Sequence, residues 1–257
     1  MFCLKDFSVF LPCLLLFIIQ PGRGSEIIDG KEVWPHSLPF MAYLRSKNSA
    51  CGGTLIDPQW VLTAAHCTNM IKVTLGAHSI TKREKYSKQV REVEKRFPHP
   101  YYQNAFQGND LMLLKLNKPV VRTRTVKWLK FGQTVRDPAA GSKCLVAGWG
   151  RIENNQRSDV LRYAYVTVID RQKCNSRDYY NHRPVITSGM VCAGSNGANK
   201  AGTCAGDSGG PLLCNGRLVG VTSFGPRECG TIDKPGVYSF VSEKQLKWIK
   251  ETMNSYE

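Results

Sequence analysis

Three polar residues stand in segments built for more than packing. Ser208 lies in GDSGGP (206–211), His66 in VLTAAHC (61–67) and Asp110 in GNDLMLLKL (108–116). Peptide-bond hydrolysis by a serine needs a base for the hydroxyl, an acid to orient the base, donors for the developing oxyanion and a pocket for the substrate. Glycine at 206 lets the backbone turn sharply and aim its N–H outward, so the N–H groups of Gly206 and Ser208 are candidate oxyanion donors. His66 follows two small alanines and precedes Cys67, whose disulfide would anchor the histidine backbone. Asp110 leads into the apolar run Leu111–Leu114. That position predicts a partly buried carboxylate, which needs a partner, and a histidine N–H is a fitting one.

Each residue alone has a plainer reading. Serines are common in glycine-rich turns, a histidine beside a cysteine is usually structural, and an aspartate before a strand is usually a turn residue. Together they run in the order His, Asp, Ser, with the six-residue GDSGGP string around the nucleophile.

The elements that must position them are short. After Ile27 come the β-prone runs Phe40–Leu44, Trp60–Thr63, Val73–Leu75, Leu111–Leu116, Cys144–Val146, Ala164–Ile169, Leu218–Thr222 and Val237–Val241, separated by Gly, Pro, Asn and Ser. Such spacing predicts an all-β sandwich or barrel. Thr134–Ser142, TVRDPAAGS, reads as a linker between two halves. One helix is predicted at 242–255. Ser242 can cap it, Leu246, Ile249 and Met253 share a stripe, and Lys244, Lys247 and Lys250 point elsewhere. With 257 residues, 42 % of them hydrophobic, the chain can build a full core.

Val9–Ile19 is an apolar run too short to span a bilayer, and Gly22 and Gly24 suit signal peptidase. Residues 1–24 are therefore expected to be a signal peptide. Of the ten cysteines, Cys3 and Cys13 fall in that segment. The remaining eight, Cys51, Cys67, Cys144, Cys174, Cys192, Cys204, Cys214 and Cys229, predict four disulfides in an exported chain. Spacing alone leaves roughly a hundred pairings open. No cysteine or histidine cluster suggests a metal, no cofactor motif is present, and AHSITKREK lacks the paired acids of a calcium loop. The net charge of +15 predicts affinity for polyanions. Lys82–Arg96 and Arg122–Lys130 are the candidate contacts. No specific nucleic-acid binding and no membrane span are expected.

IIDG (27–30), LTAAHC (62–67), NDLMLLKL (109–116), GWG (148–150), GDSGGP (206–211) and KPGVY (234–238), in this order, resemble the trypsin-like serine proteases across essentially all of 27–257. The resemblance implies two Greek-key β-barrels, roughly 27–133 and 134–241, followed by the C-terminal α-helix, with the catalytic cleft between the barrels. It implies His66 as base, Asp110 as orienting acid, Ser208 as nucleophile and Ser223 as support for the acid. The disulfides it implies are Cys51–Cys67, Cys144–Cys214, Cys174–Cys192 and Cys204–Cys229, with no cysteine left over.

It also implies activation by cleavage. The new amino terminus at Ile27 would fold inward and pair with Asp207. Ser25-Glu26 resembles the activation dipeptide of granzymes and mast-cell proteases, which a dipeptidyl peptidase removes. PHSLPFMAYL, LGAHSI and CNSRDYYN resemble granzymes of the A and K branch. A secreted protease stored in cytolytic granules with anionic proteoglycan is the expectation, acting on protein or peptide substrates and subject to protein inhibitors. No cysteine remains for a disulfide-linked dimer, so a monomer is expected.

The implied specificity pocket comprises Gly202, Thr203, Ala205, Ser223, Phe224, Gly225 and Gly236. Relatives that cut after Lys or Arg carry aspartate where Gly202 stands. An open, uncharged slot favours Phe, Tyr, Leu or Met. The alternatives are a protease cutting after Lys or Arg, with Glu228 or Asp233 supplying the charge, and a non-catalytic homologue whose basic surface binds polyanions.

Overall fold

In the computed structural model, the described residues are 30–132, 136–151, 156–195, 197, 201–226, 229 and 231–256. The signal peptide, the Ser25-Glu26 dipeptide, Ile27 and Glu228 lie outside them.

Alternating apolar residues and frequent turns give strands that close on themselves. Strands β2 (Met41–Arg45), β3 (Ala50–Asp57), β4 (Trp60–Thr63), β5 (Lys72–Leu75), β6 (Gln89–Pro98) and β7 (Met112–Leu116) form a closed antiparallel barrel in the order β2-β3-β4-β7-β6-β5. A second ring runs β8 (Lys143–Gly148), β9 (Arg162–Ile169), β10 (Met190–Gly194), β13 (Gly236–Phe240), β12 (Arg217–Phe224) and β11 (Pro211–Cys214), and the β8–β9 pairing closes it. The short strand β1 (Lys31–Glu32) adds to the edge of β9. Closure leaves neither ring with an unpaired edge, the usual liability of small sheets.

One core cluster contains residues of both barrels. Leu44, Leu55, Leu62, Leu75 and Leu113 fill the first, and Val146, Val166, Leu212, Val221 and Tyr238 the second. Each fully buried Leu contributes about 1.5–3 kcal/mol of transfer free energy. β3 is buried along nearly its whole length, not on alternate residues, because its second side packs on the segment after Ser208. Gly209 (φ 79°) marks the contact, since Thr63 Oγ1 and Gly52 O occupy the space that any β-carbon there would need. The four disulfides join Cys51–Cys67, Cys144–Cys214, Cys174–Cys192 and Cys204–Cys229.

Among the described residues, two α-helices complete the fold. α1 (Arg171–Asn175) is a single turn capped by Asp170. α2 spans Glu243–Asn254, with the Ser242 side chain accepting from Gln245 N. Leu246 and Ile249 are buried while Lys244, Lys247 and Lys250 face solvent, the amphipathic division expected from spacing. No helix among the described residues is long and apolar enough to cross a membrane.

Candidate active site

Asp110 ends the loop before β7 and is completely buried, deeper than its sequence position suggested. Its carboxylate is met from two directions. His66 donates twice, from its backbone N–H to Oδ1 (2.9 Å) and through Nδ1 to Oδ2 (2.7 Å). Ser223, near the end of β12 in the other barrel, donates Oγ–H to Oδ2 at 2.5 Å. Burial alone would raise the acid's pKa, but the His66 hydrogen bond and charge and the Ser223 hydroxyl outweigh it and hold Asp110 below its usual range. Ionised Asp110 calls for a donor at Nδ1, which leaves Nε2 as the ring nitrogen not engaged by the acid, and the side chain is partly exposed.

Ser208 is half-buried on the loop before β11. Its carbonyl accepts from Gly52 N at 2.8 Å, so the loop of the second barrel is bonded to β3 of the first. Thr63 Oγ1 also donates to Gly52 O at 2.8 Å, and Thr63 lies three residues before His66. The Ser208 loop is thereby tied, through Gly52, to the strand that leads to His66. No hydrogen bond joins Ser208 Oγ to His66 in this structure.

Gly206 has φ 102°, a conformation that L side chains rarely adopt. Around it, Asp207 N donates to Cys204 O, Gly209 N to Thr222 O and Gly210 N to Asp207 O. Among the described residues, the N–H groups of Gly206 and Ser208 have no acceptor, which leaves both free for an oxyanion.

Asp207 is turned into the interior. It is fully buried between Gly148 and Gly150 and accepts from Gly150 N (2.9 Å) and Cys204 N (3.0 Å). Burial pushes its pKa up to about 6, against the pull of those two N–H groups and the Arg157 charge. Among the described residues, its compensation comes from those two N–H groups and the Arg157 charge and does not outweigh burial, unlike that of Asp110.

The residues assigned to the pocket converge in part. Gly225 approaches Gly236, where an added β-carbon would lie 3.7 Å from Gly236 Cα. Thr203 Oγ1 lies 3.3 Å from Tyr238 Oη, and a β-carbon at Gly236 would meet both. Gly202 is buried, Ala205 is exposed, and Phe224 is half-buried between Phe106 (ring centroids 5.0 Å apart) and Tyr180 (6.1 Å). Asp233 is exposed. Sequence reasoning missed Tyr238, Tyr180 and Phe106. Tyr238 is fully buried, and burial raises its pKa so that the hydroxyl stays a donor. Its only sequence signal was its place in KPGVY. Among the described residues, no three His, Cys, Asp or Glu side chains are grouped to hold a metal.

The Trypsin family profile matches residues 27–249. The chain belongs to the trypsin family. It is 42 % identical to granzyme A of Bos taurus over 95 % of each chain and 38 % identical to kallikrein-4 of Homo sapiens over 96 % of each. The solved structure of neuropsin, a serine protease expressed in the limbic system of mouse brain, superposes with a TM-score of 0.78 at 39 % identity, covering 88 % of this chain and 99 % of that one. As a trypsin-family serine protease the chain is a peptide hydrolase.

Proposed function

We propose that the chain is an endopeptidase whose chemistry runs through His66, Asp110 and Ser208. Ser208 Oγ attacks the scissile carbonyl carbon while His66 Nε2 takes its proton. The imidazolium that forms is stabilised by the ionised Asp110 at Nδ1. The carbonyl oxygen, now negative, sits against the N–H groups of Gly206 and Ser208. His66 then gives its proton to the leaving amine, and water repeats the sequence on the acyl-enzyme. The observation that carries this reading is the buried Asp110 carboxylate holding His66 at both its backbone and its ring. Steady-state hydrolysis of peptide amides by the chain beginning at Ile27, beside Ser208→Ala and His66→Ala, tests it. Loss of about six orders of magnitude in kcat is expected for either variant; retained turnover in either would refute the assignment.

Activation is by removal of Ser25-Glu26. The buried, undercompensated carboxylate of Asp207 is the partner that an ammonium at Ile27 would satisfy. Pairing would fix the Gly206 turn and with it the oxyanion donors.

The preferred residue before the scissile bond is Phe, Tyr, Leu or Met. Gly202 brings no charge to the pocket, and Tyr238 and Thr203 satisfy one another at its wall. The protease is secreted and stored in granules with anionic proteoglycan. Support for the storage partner comes from the two basic segments, which are laced together. Gln89 exchanges hydrogen bonds with Val121, Arg91 donates to Pro119 O, and Thr125 Oγ1 donates to Ser87 O. Lys82, Arg83, Lys85, Arg122 and Arg124 are exposed on that joined surface. A dipeptidyl peptidase is the activator.

A further inference from the structure

Asp110 is aimed by the residue before it. Asn109 sits at φ 53°, in the left-handed region that asparagine tolerates better than most residues. The direction in which the Asp110 side chain leaves the backbone depends on this conformation, and three hydrogen bonds to His66 and Ser223 depend on that direction.

Asn109 is held from the far end of the chain. Its Oδ1 accepts from Gln245 Nε2 at 3.0 Å, across 136 residues of sequence. Its own amide donates to Tyr101 O at 3.4 Å. Gln245 lies in the first turns of α2 and is buried, at 6 % exposure. Its Nε2 is bonded to Asn109, while its Oε1 is buried with no hydrogen-bond partner among the described residues, so the helix keeps a costly, half-satisfied amide at this point.

α2 belongs to the second barrel by chain order but is fastened to the first. The Trp248 and His99 rings are 4.8 Å apart, Lys244 sits over the Tyr101 ring, and Tyr256 meets the Phe97 ring and accepts from Lys115 Nζ. His99 N in turn donates to Leu111 O, one residue past Asp110. Burial holds the His99 pKa below its ordinary value, with neighbouring Gln245 opposing, so His99 presents a neutral ring to the cluster. The helix is thus a strut whose inner polar contact ends on the residue that sets the acid.

We infer that Gln245 is a positioning residue for the reaction: through its hydrogen bond to Asn109 it keeps Asp110 aligned on His66. This rests on the catalytic reading given above. It differs from simple helix packing, because its loss should alter the acid–histidine pair and not only stability.

The test uses the trimmed chain with Gln245→Ala, Asn109→Gly and the double variant. Glycine accepts φ 53° without strain, so Asn109→Gly removes the side-chain link while leaving the fold able to form. We expect kcat to fall on the order of tenfold to a hundredfold in each single variant, with KM within about twofold. The double variant should be no slower than Asn109→Gly alone, because both act through one link. The downfield proton resonance of His66 Nδ1–H should shift or broaden in the same variants. Wild-type kcat and an unmoved resonance in folded Gln245→Ala or Asn109→Gly would overturn the inference while leaving the catalytic reading intact. Additive losses in the double variant would overturn it too. A wild-type chain with no hydrolytic activity would defeat the catalytic reading itself, and this inference with it.

Discussion

Ser223 Oγ lies 2.5 Å from Asp110 Oδ2, so a hydroxyl of the second barrel closes the coordination of an acid that belongs to the first. The contact bridges the two barrels at the centre of the proposed chemistry and helps hold Asp110 ionised. Replacing Ser223 with Ala removes a hydrogen bond to a charge, worth about 1.5–3 kcal/mol. The two His66 donors remain, so the pair survives in weakened form. A loss of roughly tenfold in kcat/KM is expected, measured near neutral pH on the folded variant. The lowered Asp110 pKa contributes stability above the ordinary carboxylate range, which is lost as pH falls through the folded value. Ser223→Ala should therefore shift acid unfolding to higher pH. Unchanged kinetics and an unchanged acid midpoint would remove Ser223 from this role.

Asp207 obeys the opposite sign. Its folded pKa of about 6 exceeds its ordinary 3.8, so the fold binds its proton more tightly than the unfolded chain does. In the uncleaved precursor, stability should fall as pH rises from about 4 to about 6, by roughly 3 kcal/mol from this group alone. Asp207→Asn should abolish that fall, making the precursor more stable than wild type above pH 6 and little different near pH 4. In the chain trimmed to Ile27 the same substitution should sharply lower turnover, because the Ile27 ammonium would have lost its carboxylate partner. Denaturant titrations of both forms across pH read the reversal. A precursor that Asp207→Asn destabilises at pH 7 would contradict the proposed switch.

On the proposed reading, Gly202 leaves the pocket without a charge. An uncharged floor leaves a lysine or arginine unpaired, a penalty of about 1–3 kcal/mol or more. Matched peptide substrates should show kcat/KM at least about tenfold higher for Phe, Tyr, Leu or Met than for Lys or Arg. Gly202→Asp should invert the order, at some cost in stability from a buried charge. Faster cleavage after Lys or Arg by the unmodified chain would show that the charge comes from elsewhere, with Glu228 and Asp233 the candidates.

An internal ammonium ties down the loop between β5 and β6. Lys88 Nζ donates to Lys82 O at 2.5 Å and lies 3.9 Å from Glu84 Oε2, with its side chain only 15 % exposed. The Glu84 carboxylate accepts from His78 N and Ser79 N. These donors and the Lys88 charge overcome the opposing effect of burial and lower its pKa. A loop held by its own cation should not need a metal. Chelation with EDTA should leave the melting temperature unchanged, whereas Lys88→Ala should lower it by about 2–6 °C. Scanning calorimetry with and without chelator distinguishes these outcomes, and a chelator-induced drop would refute the loop's independence.

Much of the site was legible because its chemistry is local. GDSGGP, LTAAHC and NDLMLLKL each carry a reactive residue inside a short string, and β4 falls on the residues its apolar run marked out. β3 is absent from the runs that the sequence marks out, since Cys51-Gly52-Gly53 breaks its apolar pattern and its burial comes from the Ser208 loop packed against it. β6 reads as a basic cluster because its barrel role leaves most of its side chains exposed. The cysteine pairing came from resemblance, since spacing does not determine it. Tyr238 looked like an ordinary strand aromatic, and nothing in a one-dimensional reading joins Gln245 to Asn109. Contacts between distant segments depend on barrel closure, which no local pattern encodes.

On the proposed reading, Ser208 becomes a nucleophile in a site completed at Ile27. Fluorophosphonate labelling followed by mass mapping, on the precursor and on the chain trimmed to Ile27, tests it most directly. The trimmed chain should take up one label, on Ser208, and lose it in His66→Ala. The precursor should label at least about a hundredfold more slowly, the scale of losing an oxyanion donor. Absence of label from Ser208 in the trimmed chain, or equal rates in the two forms, would contradict the account.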